Sequence, residues 1–96
     1  MKYAYLIFGI LYRNEEEIKQ MSDESSHLFD GIDGLISRHL FSNIEDQMAS
    51  ALFFCEDLES AEMVKEKMHV IIEKYDEYID YTTEFIYKVI ETVKYK

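Results

Sequence analysis

The sequence predicts an α+β fold in the order strand, helix, strand, strand, helix, strand, and three observations carry that prediction. Two runs, KYAYLIFGILY (residues 2–12) and MASALFFCE (residues 48–56), are apolar at both alternating positions, as in strands covered on both faces in the middle of a sheet. Two stretches that open at Asn14 and at Asp57 or Ser60 repeat apolar residues every three or four positions, the period of a helix face. The closing run Phe85–Tyr95 alternates, with Phe85, Tyr87, Val89, Val93 and Tyr95 on one side and a wetter side carrying Lys88 and Lys94, which suits an edge strand guarded by lysines.

The remaining elements follow in order. Gly9 inside the first strand marks a bulge or a close backbone approach. Asn14 followed by Glu15, Glu16 and Glu17 opens a helix, with a side-chain cap, carboxylates in the first turn and Glu17 placed for a return bond. Ile18, Met21, Ser25, Leu28 and Phe29 give its inner stripe, and DGIDG (residues 30–34) ends it, because glycine supplies left-handed turn positions. LISRHLFS (residues 35–42) reads as a second strand of weak alternation. The alternative is a first helix that runs on to about Phe41, leaving three strands. NIEDQ is turn-like. The second helix carries Ala61, Val64, Met68, Ile71 and Tyr75 on one stripe, so Tyr75 belongs to the core.

Two right-handed crossovers then give one domain over residues 1–96. Its four-stranded antiparallel sheet has both helices on one face, the ferredoxin-like βαββαβ arrangement, with the first and third strands in the centre. A two-layer fold leaves the other sheet face bare. That face must hold large apolar side chains, which predicts a homodimer that buries it.

Charge points to function. Twenty acids against ten bases leave −10 on 96 residues. Residues 1–13 carry +2 and residues 85–96 carry +2, so residues 14–84 hold −14. Such a field repels nucleic acid and anionic membranes and attracts cationic surfaces. Single-stranded RNA stacking on the bare sheet is excluded on the same ground, for want of a cationic groove. The stretch EKYDEYIDYTTE (residues 73–84) interleaves carboxylates with tyrosines, and a surface of that kind can imitate a nucleic-acid backbone: carboxylates replace phosphates and aromatic faces stack on arginines. The expectation is a non-enzymatic acidic inhibitor of a basic, nucleic-acid-binding protein, with a partner-binding surface of Glu15, Glu16, Asp76, Glu77, Tyr78, Asp80, Tyr81 and Glu84, and with one of Tyr78 and Tyr81 packed under the second helix. The competing class is a dimeric α+β-barrel protein, a small-molecule regulator or minor enzyme, with its site between sheet and helices. A closed ligand pocket separates the two readings.

No catalytic signature accompanies the charge. Cys55 is a lone cysteine at a strand end, expected to be buried and structural, and a nucleophilic pair with His39 lacks an orienting group. His27, His39 and His69 fall in three different elements. DGIDG lacks the ligand ladder of a calcium loop, and three glycines make no phosphate loop. Catalytic, cofactor and metal residues are therefore not expected. The apolar opening is too short for a membrane span and has no cleavage site, and a single cysteine suits a reducing compartment, so the cytoplasm is expected. In size, acidity and element order the chain resembles, at the level of class, small phage-encoded inhibitors such as anti-CRISPR and anti-restriction proteins, and bacterial immunity proteins. No motif carries that likeness to individual residues.

Overall fold

A computed structural model describes residues 2–11, 14–43, 45 and 48–96, with only the backbone described for Ile10, Leu11 and residues 78–81. The order is β1 (Tyr3–Leu11), α1 (Glu15–Ser25) continued by a 3-10 turn (Ser26–Phe29), β2 (Leu35–Ser42), β3 (Met48–Cys55), α2 (Leu58–Lys74), a short 3-10 turn (Asp76–Tyr78) and β4 (Ile79–Lys88). The strands form one antiparallel sheet in the order β2-β3-β1-β4, so the two doubly apolar strands are central. This is the ferredoxin-like βαββαβ fold, and the three-strand alternative is ruled out because residues 35–42 pair with β3.

Local chemistry sets the helix ends. The Glu17 amide donates to Asn14 Oδ1 at 2.9 Å while Asn14 Nδ2 donates to Glu17 Oε1 at 3.1 Å, a reciprocal start to α1. Asp57 takes the same role for α2, accepting from the Ser60 amide at 2.8 Å. Gly31 adopts φ +87°, the left-handed position that the turn out of α1 requires.

The register sorts the described strand side chains to two faces. Tyr5 faces Phe53 and Ile86 across its neighbours, and Ile7 faces Ala51 and Glu84. These belong to the helix side, where Tyr5, Ile7, Phe29, Ile32, Phe53, Cys55, Ala61 and Val64 make the core. Tyr75 is buried too, as its stripe position requires. The opposite face carries Leu6, Phe8, Leu52 and Phe54 at its centre, with Phe41, Phe85 and Tyr87 exposed.

Two strand expectations are corrected. Gly9 pairs regularly with Ala49 and Thr82; the irregularity in that region lies one step on, where Ile10 pairs with Tyr81 but Leu11 with Ile79. The last strand is Ile79–Lys88 rather than Phe85–Tyr95. Tyr3, the first residue of β1, pairs with Lys88, and the Val89 amide reaches the Lys2 carbonyl at 2.9 Å, where the described ladder with β1 closes. Residues 90–96 keep the alternation of a strand without pairing to a strand among the described residues: Ile90 is 94% and Tyr95 90% exposed.

Candidate functional site: an apolar cavity under the first helix

The residues that β1 and β3 point at the helices change size along the sheet. Toward the start of β1 they are Tyr5, Phe53 and Cys55, all essentially inaccessible. Toward its end they are Gly9, Ala49 and Ala51, matched across the strands as Gly9 with Ala49 and Ile7 with Ala51. Small side chains there leave a gap that α1 and α2 bridge without filling. The result is a cavity of about 110 Å³. Its walls are Ile18 and Met21 from α1, Phe29, and Met68, Ile71 and Ile72 from α2, over a floor of the small strand residues. Cavities of about 150 Å³ with such walls stay dry and take a benzene-sized guest, so this one has the scale of a single ring, with two flexible methionines able to adjust.

Polar groups at the cavity are few: Ser22, Ser25, Thr82 and Arg38 on the helix side. His39 and Ser50 also border it, but their register partners Leu52 and Phe8 lie on the helix-free face, so these two turn their side chains away. Arg38 faces the helices because of a bulge. Leu35 pairs with Cys55 and Ser37 already with Phe54, which leaves Ile36 as the extra residue and brings Arg38 opposite Phe53. Arg38 Nη1 donates to the Ser22 carbonyl at 3.4 Å, tying β2 to α1. From Arg38, Ser22, Ile18 and Leu40 the cavity adjoins an open groove of about 630 Å³ between α1 and β2, rimmed by Glu15, Glu16, Lys19 and Asp23.

A second polar cluster sits between β4 and α2. The Tyr5 hydroxyl donates to Glu84 Oε2 at 2.5 Å, His69 Nε2 donates to Glu84 Oε1 at 2.6 Å, and Lys65 Nζ lies 3.9 Å from the same oxygen. Burial pushes the Glu84 carboxyl up, but the bonds from Tyr5 and His69 and the nearby positive charges outweigh it and hold the group below the usual carboxylate range. Burial, then the bond to Glu84 and its charge, push the Tyr5 phenol far above its ordinary value. Tyr5 is thus a fixed neutral donor.

Of the eight residues expected to form one acidic surface, the five with described side chains (Glu15, Glu16, Asp76, Glu77 and Glu84) are not brought together. Glu15 and Glu16 open α1, exposed at the groove rim. Asp76 and Glu77 are exposed in the turn after α2, next to Tyr75, whose hydroxyl reaches Glu24 Oε2 at 3.1 Å at the far end of α1. Nine residues of helix, about 14 Å at ~1.5 Å per residue, separate Glu15 from Glu24. Glu84 points inward to Tyr5. The side chains of Tyr78, Asp80 and Tyr81, and with them the expectation that one tyrosine packs under α2, lie outside the described residues. Other acids are engaged in place: Glu17 and Asp57 at caps, Asp23 with Lys19 at 3.0 Å.

Cys55 is fully buried, and burial first, then the charge of Asp57, push its thiol up to about 11, so it stays a protonated packing group near neutrality. It faces the helices whereas His39 faces the other way, stacked on Phe41 and edge-on to Phe54, which removes the Cys–His pair. Among the described residues no three His, Cys, Asp or Glu side chains are grouped to hold a metal ion, and no helix is long and apolar enough to cross a membrane.

No protein-family model matches the chain, and no curated protein matches it. Solved structures do match in fold. A mutant of SnoaB, a cofactor-independent oxygenase from Streptomyces nogalater, superposes with a TM-score of 0.73 at 8% identity, covering 96% of each chain. A dimeric ferredoxin-like protein from an uncultured marine organism gives 0.77 at 15% identity, covering 99% of this chain and 93% of that one. A mutant of MhuD with two manganese protoporphyrin IX molecules bound per active site gives 0.72 at 9% identity, covering 96% of this chain and 98% of that one.

These findings overturn the expectation of a non-enzymatic acidic inhibitor, and with it nucleic-acid mimicry and the anti-CRISPR-like role. The fold is shared from end to end with an oxygenase and a porphyrin-binding protein, the acids are dispersed, and the space between sheet and helices is an apolar pocket. A basic protein partner has no support in this geometry. The residues that make the pocket were absent from the expected surface. Gly9, Ala49 and Ala51 could have been found as a run of small side chains on neighbouring doubly apolar strands.

Proposed function

We propose that the protein binds a small, largely apolar organic molecule in the cavity between α1, α2 and the sheet, and acts on it as an enzyme of the oxygenase kind that its fold neighbours include. The observation that carries the proposal is the cavity itself: a preformed, ring-sized apolar space with few polar groups, the usual build of a small-molecule site. Its walls hold a ring against the strand floor, which is the protein's contribution to orientation. The cavity is too small for a porphyrin macrocycle, so no step through such a group is assigned.

The proposal includes a homodimer built on the helix-free sheet face. Phe41, Phe85 and Tyr87 are 48%, 42% and 51% exposed there, and the arm that follows Val89 adds Ile90, Val93 and Tyr95. Apolar area of that kind is rarely left to water. A second copy covers it without any further partner, and the ferredoxin-like neighbour from the marine organism is itself described as dimeric.

Methyl-resolved NMR tests the site. Titration with benzyl alcohol is expected to shift the Met21 and Met68 methyls saturably and to leave Met63, exposed on α2, unmoved. Shifts spread evenly over surface methyls, or none, would end the reading. Sedimentation tests the assembly: the whole chain is expected as a dimer and Phe85→Asp as a monomer, and a monomeric wild type would contradict the dimer.

A further inference from the structure

We infer that the ligand is a monoanion: an apolar ring that carries a single carboxylate or phenolate oxygen, held by Arg38. This rests on the small-molecule reading above and specifies the chemistry of that ligand. The chain has twice as many acids as bases, and among the described residues Arg38 makes no ion pair. Among the described residues its one hydrogen bond is the long one to the Ser22 carbonyl, which positions the guanidinium and leaves most of its five donors without a described partner. Among the described residues it is also the only charged side chain that borders the cavity, and it borders the groove as well, so it stands where the two meet.

The bulge at Ile36 makes this placement specific. Without the extra residue, Arg38 would fall on the helix-free face with Phe54 and Leu52; with it, Arg38 comes to the cavity. A planar guanidinium at the mouth of an apolar cavity suits a flat anionic oxygen group attached to the buried part of a ligand. A ligand ammonium is disfavoured by Arg38 itself. Multiply charged anions are disfavoured by Glu15 and Glu16 on the rim, where Lys19 and Asp23 neutralise each other, and by the net charge of −10. One negative charge beside one ring is what remains.

Calorimetry with benzoate, benzyl alcohol and benzylamine at neutral pH and low salt tests the inference, using the whole chain. Wild type is expected to bind benzoate about tenfold or more tighter than benzyl alcohol, the scale of one charge-assisted bond, and benzylamine more weakly than either. Arg38→Gln is expected to erase the benzoate preference and to leave benzyl alcohol unchanged. Arg38→Lys, which keeps the charge and loses the fork, is expected to fall between and serves should the glutamine variant fail to fold. If benzyl alcohol binds wild type as tightly as benzoate, or if Arg38→Gln weakens both equally, the anion inference is wrong while the small-molecule site stands. If none of the three binds wild type, both fall.

Discussion

The two halves of the helix–sheet interface are built by the same two central strands and end up with opposite character. In one half Tyr5 and Cys55 meet Ala61 and Val64 of α2, Phe53 closes this half toward the cavity, and the layer is solid. In the other half Gly9, Ala49 and Ala51 meet Ile18, Met21, Met68 and Ile72, and the layer is hollow. α2 crosses both halves as one continuous rod, with Ala61 and Val64 over the first and Met68 and Ile72 over the second, so a strand residue that shrinks is not followed down by the helix. Large residues placed under a rigid cover give stability, and small ones give a site. The same lesson applies to the polar groups: Glu84, under the solid half, is locked by Tyr5 and His69, while Arg38, over the hollow half, keeps donors to spare.

Phe53 carries the largest share of the solid half. Phe53→Ala removes a ring that is 1% exposed and in contact with those of Tyr5 and Phe29. A loss of about 3–5 kcal/mol in urea unfolding is expected, as for other aromatic truncations in packed cores. Tyr5→Phe comes next. It deletes the hydroxyl bonded to Glu84 and is expected to cost ~1.5 kcal/mol, since the carboxylate is about a quarter exposed and recruits water in exchange.

The pH dependence of that second loss sharpens the point. The folded state holds the Glu84 carboxyl below its ordinary value, so the stability it contributes is fully present above the ordinary carboxylate range and is lost as pH falls through the folded value. Tyr5→Phe is expected to flatten the acid limb of the wild-type stability profile; parallel profiles would show that the bond contributes nothing to the depression. The smallest effect falls in the hollow half. Ala51→Leu adds volume where there is already room, and its cost is expected to stay below ~1 kcal/mol, against the 1–3 kcal/mol typical of overpacking a full core.

Much of the fold was legible in the sequence because periodicity and caps are local. β1, β3, both helix starts at Asn14 and Asp57 and the turn at Gly31 follow from residues near one another in the chain. β4 was misplaced because a strand extends only as far as its neighbour: residues 89–95 alternate as well as residues 79–88, but β1 ends opposite Lys88. The site was hidden for a related reason. A single extra residue, Ile36, decides which face Arg38 takes, and a one-residue change of register inverts every later assignment on β2. The weak alternation of LISRHLFS was the visible trace of that bulge. The acidic stretch misled because composition does not reveal direction, and Glu84, counted as surface charge, turns inward to a buried tyrosine.

The claim that the hollow half is a ligand site is tested most directly by filling it. Calorimetric titration of Ala51→Leu with benzyl alcohol, beside wild type, should show saturable binding in wild type and none in the variant, whose urea midpoint should stay close to wild type. Equal binding by the two proteins would place the ligand elsewhere and contradict the account.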